Sequence, residues 1–123
     1  MKQGYLKSLV AIVSTVVVSA TAMTTTALAA DLNNGKALVE KGNCASCHGA
    51  NLNTPIAPAY PKIAGQHADY LYHALKAYQV ANNPNIGRGN AVMAGQVKAF
   101  SQSELKDIAA YVASLPGSLV IKK

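Results

Sequence analysis

The segment NCASCHGA, residues 43–50, decides how the rest of the chain is read. It holds both cysteines of a 123-residue sequence, Cys44 and Cys47, with His48 directly after the second. Two thiols at that spacing can form a disulfide, run redox exchange, hold a metal or anchor a larger group. The choice depends on compartment, on what else could be a ligand, and on the core the chain can build.

Compartment follows from residues 1–30. Lys2 and Lys7 give a basic start, Leu9 to Ala20 is mostly Val, Ile, Leu and Ala, and Ala27-Leu28-Ala29 closes the segment with a small-x-small pattern. This is the pattern of a secretory signal peptide cleaved near Ala29 or Ala30. The apolar run is shorter than the roughly 20 residues a transmembrane helix needs. No cysteine stands near the cleavage point, which speaks against a lipid anchor. The expected mature domain is 31–123, in the periplasm.

Without Lys2 and Lys7 the chain keeps nine Lys/Arg against five acidic residues, a mild excess spread along its length. No basic cluster interleaved with aromatics suggests nucleic acid. The mature part has one Phe, no Trp and many Ala and Gly. A domain of this size buries a modest share of its surface and is marginal alone. A bound apolar body at its centre would add much.

Three helices are predicted. The first covers 33–42, NNGKALVEKG, capped by Asn33 or Asn34 and ended by Gly42, with Ala37, Leu38 and Lys41 on one face. The second runs from about Gln66 to Val80, where Tyr70, Leu71, Ala74, Leu75 and Tyr78 form an amphipathic stripe and Pro84 blocks continuation. The third begins at the capping box Ser101–Glu104, with Phe100 and Leu105 placed as a hydrophobic staple. Leu105, Ile108, Ala109, Val112 and Leu115 follow the 3.6-residue period until Pro116-Gly117. A stretch with Pro55, Pro58 and Pro61, and an Asn/Gly-rich stretch before the last helix, show no strand alternation. The fold reads as all-α with long loops, and loops this long in a small domain imply that they wrap something.

A disulfide across two residues closes too small a loop to constrain the unfolded chain much. A thioredoxin-like pair belongs in a βαβ setting, and no strands are visible. Zinc would need a fourth ligand that no second C-x-x-C or H-x-x-H supplies. C-x-x-C-H, in contrast, is the haem-attachment spacing: thiols three apart on one turn reach neighbouring points, and the next residue offers an imidazole to the iron. Few side chains can take the iron's other axial position. Met93 is the one methionine outside the signal, 45 residues after His48. It competes with His67 and His73, and with the plain reading of a core methionine. For the N–H that a metal-bound histidine donates, the acceptor expected is the Pro58 carbonyl, with Pro61 second. Arg88 is a candidate partner for a haem propionate. Tyr60, Tyr70, Tyr78 and Tyr111 read as core aromatics, some of them against the porphyrin.

The pieces GKALVEKGNCASCHGA, PAYPKIAGQ, YLYHALKAYQ, RGNAVM and FSQSELKDIAAYVASL together resemble a class I c-type cytochrome of the small bacterial periplasmic kind. They are particularly similar to one domain of the two-haem periplasmic cytochromes, and cover nearly everything after residue 34. The resemblance implies a cytochrome c fold of three main helices and long loops around one covalently bound haem c. It implies Cys44 and Cys47 as thioether anchors, His48 and Met93 as axial ligands, and first and last helices crossing near Gly35 and Tyr111. It also implies an electron carrier rather than an enzyme, with redox proteins as partners, no nucleic acid, peripheral or no membrane contact, and a monomer or weak dimer. The low charged content, 13%, points to a largely apolar contact patch. The alternatives are the cytochrome subunit of a larger periplasmic dehydrogenase or oxidase, and a haem enzyme or gas sensor with an open iron position.

Overall fold

A computed structural model describes residues 29–80, 83 and 85–118. The expected signal segment up to Leu28, Pro84 and the last five residues lie outside that range. Every regular element is helical among the described residues: α1 (Leu32–Lys41), α2 (Ala45–His48), α3 (Ala68–Gln79), α4 (Ala91–Val97) and α5 (Gln102–Ser114). The three predicted helices are α1, α3 and α5. Two short ones are additional, and they fall on the cysteine motif and on the segment read as the Met93 loop. At four and seven residues they are too short for a 3.6-residue period to declare itself.

In space the helices pack in the order α1, α5, α3, α4. The core between them is Leu38, Val39, Leu71, Val97, Leu105, Ile108, Ala109 and Val112, joined by the loop residues Leu52 and Ala64. Of the predicted stripe, Leu105, Ile108, Ala109 and Val112 are buried on α5, while Leu115 is its part-buried C-cap; α3 buries only Leu71 fully, and Tyr70 stays 51% exposed. No helix among the described residues is long and apolar enough to cross a membrane.

The contact of α1 with α5 rests on Gly35. A Cβ there would drive into the carbonyl oxygen of Asp107 and stand 2.7 Å from Tyr111 Cβ. The start of α1 is fixed by two carboxylates. Asp31, rather than Asn33 or Asn34, is the N-cap, accepting from Asn33 N and Asn34 N at 2.9 and 3.1 Å. An aspartate satisfies two orphan amides at once. Asp107, buried on α5, accepts from Asp31 N at 2.9 Å and from Asn34 Nδ2 at 2.7 Å. Asp107→Ala strips partners from both donors and opens space at the crossing. We expect a loss of about 2–3 kcal/mol, read as a lower midpoint in urea with unchanged slope.

The capping box on α5 is present in full: Glu104 N donates to Ser101 Oγ at 3.2 Å, and Ser101 N donates to Glu104 Oε2 at 2.7 Å. The Ser101 amide, then its hydroxyl, hold the exposed Glu104 carboxyl below its ordinary 4.5. A depressed carboxyl stabilises the fold above its unfolded pKa and loses that contribution as pH falls through the folded one. Glu104→Gln should therefore flatten the acid side of a stability–pH curve below 4.5 and leave its neutral part nearly parallel. Thermal melts across that range check it.

Candidate functional site

α1 delivers the chain to the motif. Gly42 N donates to Leu38 O at 2.8 Å to close the helix, and Asn43 then takes a left-handed φ of 49°. Asn visits that region more readily than most residues. The reversal starts the single turn α2, secured by His48 N to Cys44 O at 3.1 Å and Ser46 Oγ to Asn43 O at 2.7 Å. Cys44 and Cys47 stand three residues apart on this turn, both free thiols and both part-buried. Burial pushes the Cys44 thiol up, with Cys47 adding to the effect. A thiol kept protonated is unlike the low-pKa cysteine of an exchange pair. No group of three or more His, Cys, Asp or Glu among the described residues could hold a metal ion.

His48 is 6% exposed. Its Nδ1 lies 2.8 Å from the carbonyl oxygen of Pro61. A carbonyl only accepts, so Nδ1 is the donor, and in the neutral imidazole Nε2 is then the nitrogen with the lone pair. No described residue hydrogen-bonds that Nε2. A buried imidazole whose far nitrogen is fixed by a carbonyl is the arrangement of a metal-ligating histidine. Tyr60 meets its ring edge-on, centroids 6.5 Å apart.

The acceptor corrects the expectation of Pro58. Leu52, at φ 55°, turns the loop back, and Ile63 N and Ala64 N both donate to Leu52 O at 2.9 and 3.0 Å. This return brings Pro61 under the imidazole. Pro58 stays on an exposed turn closed by Tyr60 N to Ala57 O at 3.1 Å.

Met93 lies in the first turn of α4. Asn90 caps that helix, accepting from Met93 N at 2.9 Å. The Asn90 cap was the sequence signal for α4, obscured by the surrounding Asn and Gly. The Met93 side chain is half-buried and packs against the same core as Cys44. His67 and His73 flank and lie on α3, with His73 beside the Tyr72 ring at 5.3 Å. Arg88 is engaged by phenols: its Nη2 donates to Tyr70 Oη at 3.2 Å, and the guanidinium lies over the Tyr70 and Tyr78 rings.

These residues fit a covalently attached haem. Beyond the imidazole and thiols, large apolar side chains are left open beside the motif and beside Met93. Ile56 is 67% exposed although its N–H is bonded to Cys47 O at 3.2 Å, and Val92 is 58% exposed. Open apolar side chains next to a buried imidazole, two thiols and a methionine are what a flat apolar ring would cover. A separate cleft of about 520 Å³ between α1, Leu52 and the end of α5 includes none of Cys44, Cys47, His48 or Met93.

Comparison with known proteins agrees with this geometry. The family model "Cytochrome c" matches residues 32–116. Cytochrome c4 of Stutzerimonas stutzeri is 37% identical over 94 residues, which is 73% of this chain and 42% of that one. Cytochrome c-554(548) of Halomonas halodenitrificans is 37% identical over 73 residues, covering 59% of this chain and 84% of its own. The crystal structure of reduced recombinant cytochrome c4 from Pseudomonas stutzeri superposes with a TM-score of 0.61 at 34% identity, over 74% of this chain and 48% of that one. The chain thus spans less than half of these cytochromes c4 and most of the smaller cytochrome. Its two cysteines have the spacing that attaches one haem c. Because the family match runs from the first helix to beyond the last and takes in this turn, the chain belongs to the cytochrome c family.

Proposed function

We propose that this protein is a periplasmic carrier of single electrons, with Cys44 and Cys47 as thioether anchors of one haem c and His48 and Met93 as its axial ligands. The observation that carries the reading is the His48 imidazole, buried and bonded through Nδ1 to Pro61 O, with Nε2 open for iron. Cys44 and Met93 both pack against the one core, which supports ligands drawn from two segments far apart in sequence. Bound there, the haem would supply one reversible electron, and Met/His ligation favours a high potential.

The chain's own residues provide position and shelter. Pro61 O fixes the imidazole plane, Asn90 sets the start of the methionine helix, and Ile56 and Val92 offer apolar cover for the ring, whose edge beside the thioethers would be where a redox partner meets the site. Brief redox encounters use small interfaces, which suits a contact of this kind. With His48 and Met93 in both axial positions no place would be left for a substrate, which argues against peroxidase or gas-sensor chemistry.

A spectroelectrochemical titration of the purified holoprotein tests this. We expect a single one-electron step, with a far-red methionine–iron band in the ferric form and no rapid carbon monoxide binding in the ferrous form. Rapid carbon monoxide binding would overturn it. Native gel filtration then reads whether the carrier travels alone or with a catalytic partner.

A further inference from the structure

Two residues tie the segment carrying Met93 to α3: Gln79 Nε2 donates to Val97 O at 2.9 Å and to Phe100 O at 2.7 Å at the far end of α4, and Arg88 holds the approach to its start. The backbone N of Arg88 donates to Ala77 O at 2.9 Å, near the end of α3. Its guanidinium reaches back along the same helix, donating to Tyr70 Oη at 3.2 Å and lying 5.5 and 5.6 Å from the Tyr70 and Tyr78 ring centres. Positions 70 and 78 are eight apart, on one face of α3, so the side chain spans about two helical turns. In the other direction Arg88 O accepts from Asn90 N at 3.0 Å, and Asn90 Oδ1 accepts from Met93 N at 2.9 Å. The links form a chain from α3 through Arg88 and Asn90 to the methionine. The contacts also explain why the two phenols raise the guanidinium above its ordinary range.

We propose that Arg88 is a positioning residue for Met93: a strap across the face of α3 that holds the methionine-bearing helix in place. This rests on the reading of Met93 as an axial ligand. A strap acts on how often the methionine leaves its place, and so on how readily an outside ligand replaces it. A guanidinium suits the task better than an ammonium. Its plane can lie on aromatic faces while its edge donates to a phenol oxygen. The propionate role expected from sequence makes a different demand, since it acts on the charge near the haem rather than on the methionine.

The test is imidazole binding to the ferric holoprotein, followed by loss of the far-red band, in wild type, Arg88→Leu, Arg88→Lys and Tyr70→Phe. Arg88→Leu should keep its haem content and helical circular dichroism and bind imidazole about tenfold more tightly, as expected when contacts of this size are removed. Arg88→Lys should lie between. Tyr70→Phe, which removes one oxygen only, should move the same way by less, and it stands in for Arg88→Leu if that variant does not assemble. Unchanged imidazole affinity in Arg88→Leu and Tyr70→Phe overturns the strap. So does a shifted reduction potential with imidazole affinity unchanged, which assigns Arg88 to the propionates. Met93→Ala separates the two readings. If the far-red band survives it, Met93 is not the ligand and the strap falls with it. If the band is lost there but imidazole binding ignores Arg88, only the strap fails.

Discussion

Met93→Ala protein is expected to lose the far-red band of its ferric form and to bind carbon monoxide rapidly once reduced. Its reduction potential should fall by roughly 0.2 V, a part of the ≈ 0.8 V range that axial ligands command. The direction follows from the donor. A thioether is soft and favours the ferrous state, and water or a harder side chain in its place favours the ferric state. The fold should survive, because Met93 is only half-buried and α4 keeps its Asn90 cap and its contact with α3. His67 and His73 make the outcome informative. If either could ligate in place of methionine, Met93→Ala would be low-spin and closed to carbon monoxide. His73 stands against Tyr72 on α3, and His67 at the N-terminal end of that helix. An unchanged potential would remove Met93 from the site.

Gly35→Ala is the second large effect, and it concerns the frame. The added Cβ meets the main-chain carbonyl of Asp107 on α5, and Tyr111 Cβ at 2.7 Å. A backbone carbonyl inside a helix cannot swing aside, so α1 must back away. Overpacking of this kind costs about 3 kcal/mol at its upper end. In a domain of this size that lowers the melting temperature by roughly 15 °C. The displacement would also disturb the bonds of Asp107 to Asp31 N and Asn34 Nδ2. A melting temperature within a few degrees of wild type would show that α1 and α5 do not cross this tightly.

Legibility in the sequence divides along physical lines. The helix α5 could be read to its terminus, because a capping box, a staple position and a 3.6-residue period all agree over thirteen residues. The cysteine spacing for one haem c was legible because haem attachment needs fixed residue types at fixed spacing. α2 and α4 were not, since a period needs more than two turns to show. Asp107 was passed over among the polar positions of α5. Its burial comes from the start of α1 folding across it, 76 residues away in sequence. The same distance effect hid the role of Arg88, whose partners lie on the preceding helix. The choice between Pro58 and Pro61 was beyond sequence altogether, because it turns on where Leu52 reverses the loop.

That last case has a practical consequence. The group that fixes the histidine is a main-chain oxygen, so any amino acid at position 61 would supply the same atom, and no comparison of side chains would reveal it. What has to be preserved is a path in space: the left-handed step at Leu52 and the two amides that return to its carbonyl. Grafting residues 43–50 into another helical scaffold would therefore transplant Cys44, Cys47 and His48 without the Pro61 carbonyl that sets the imidazole. A portable version of this site is the longer piece from Asn43 to Ala64, loop included.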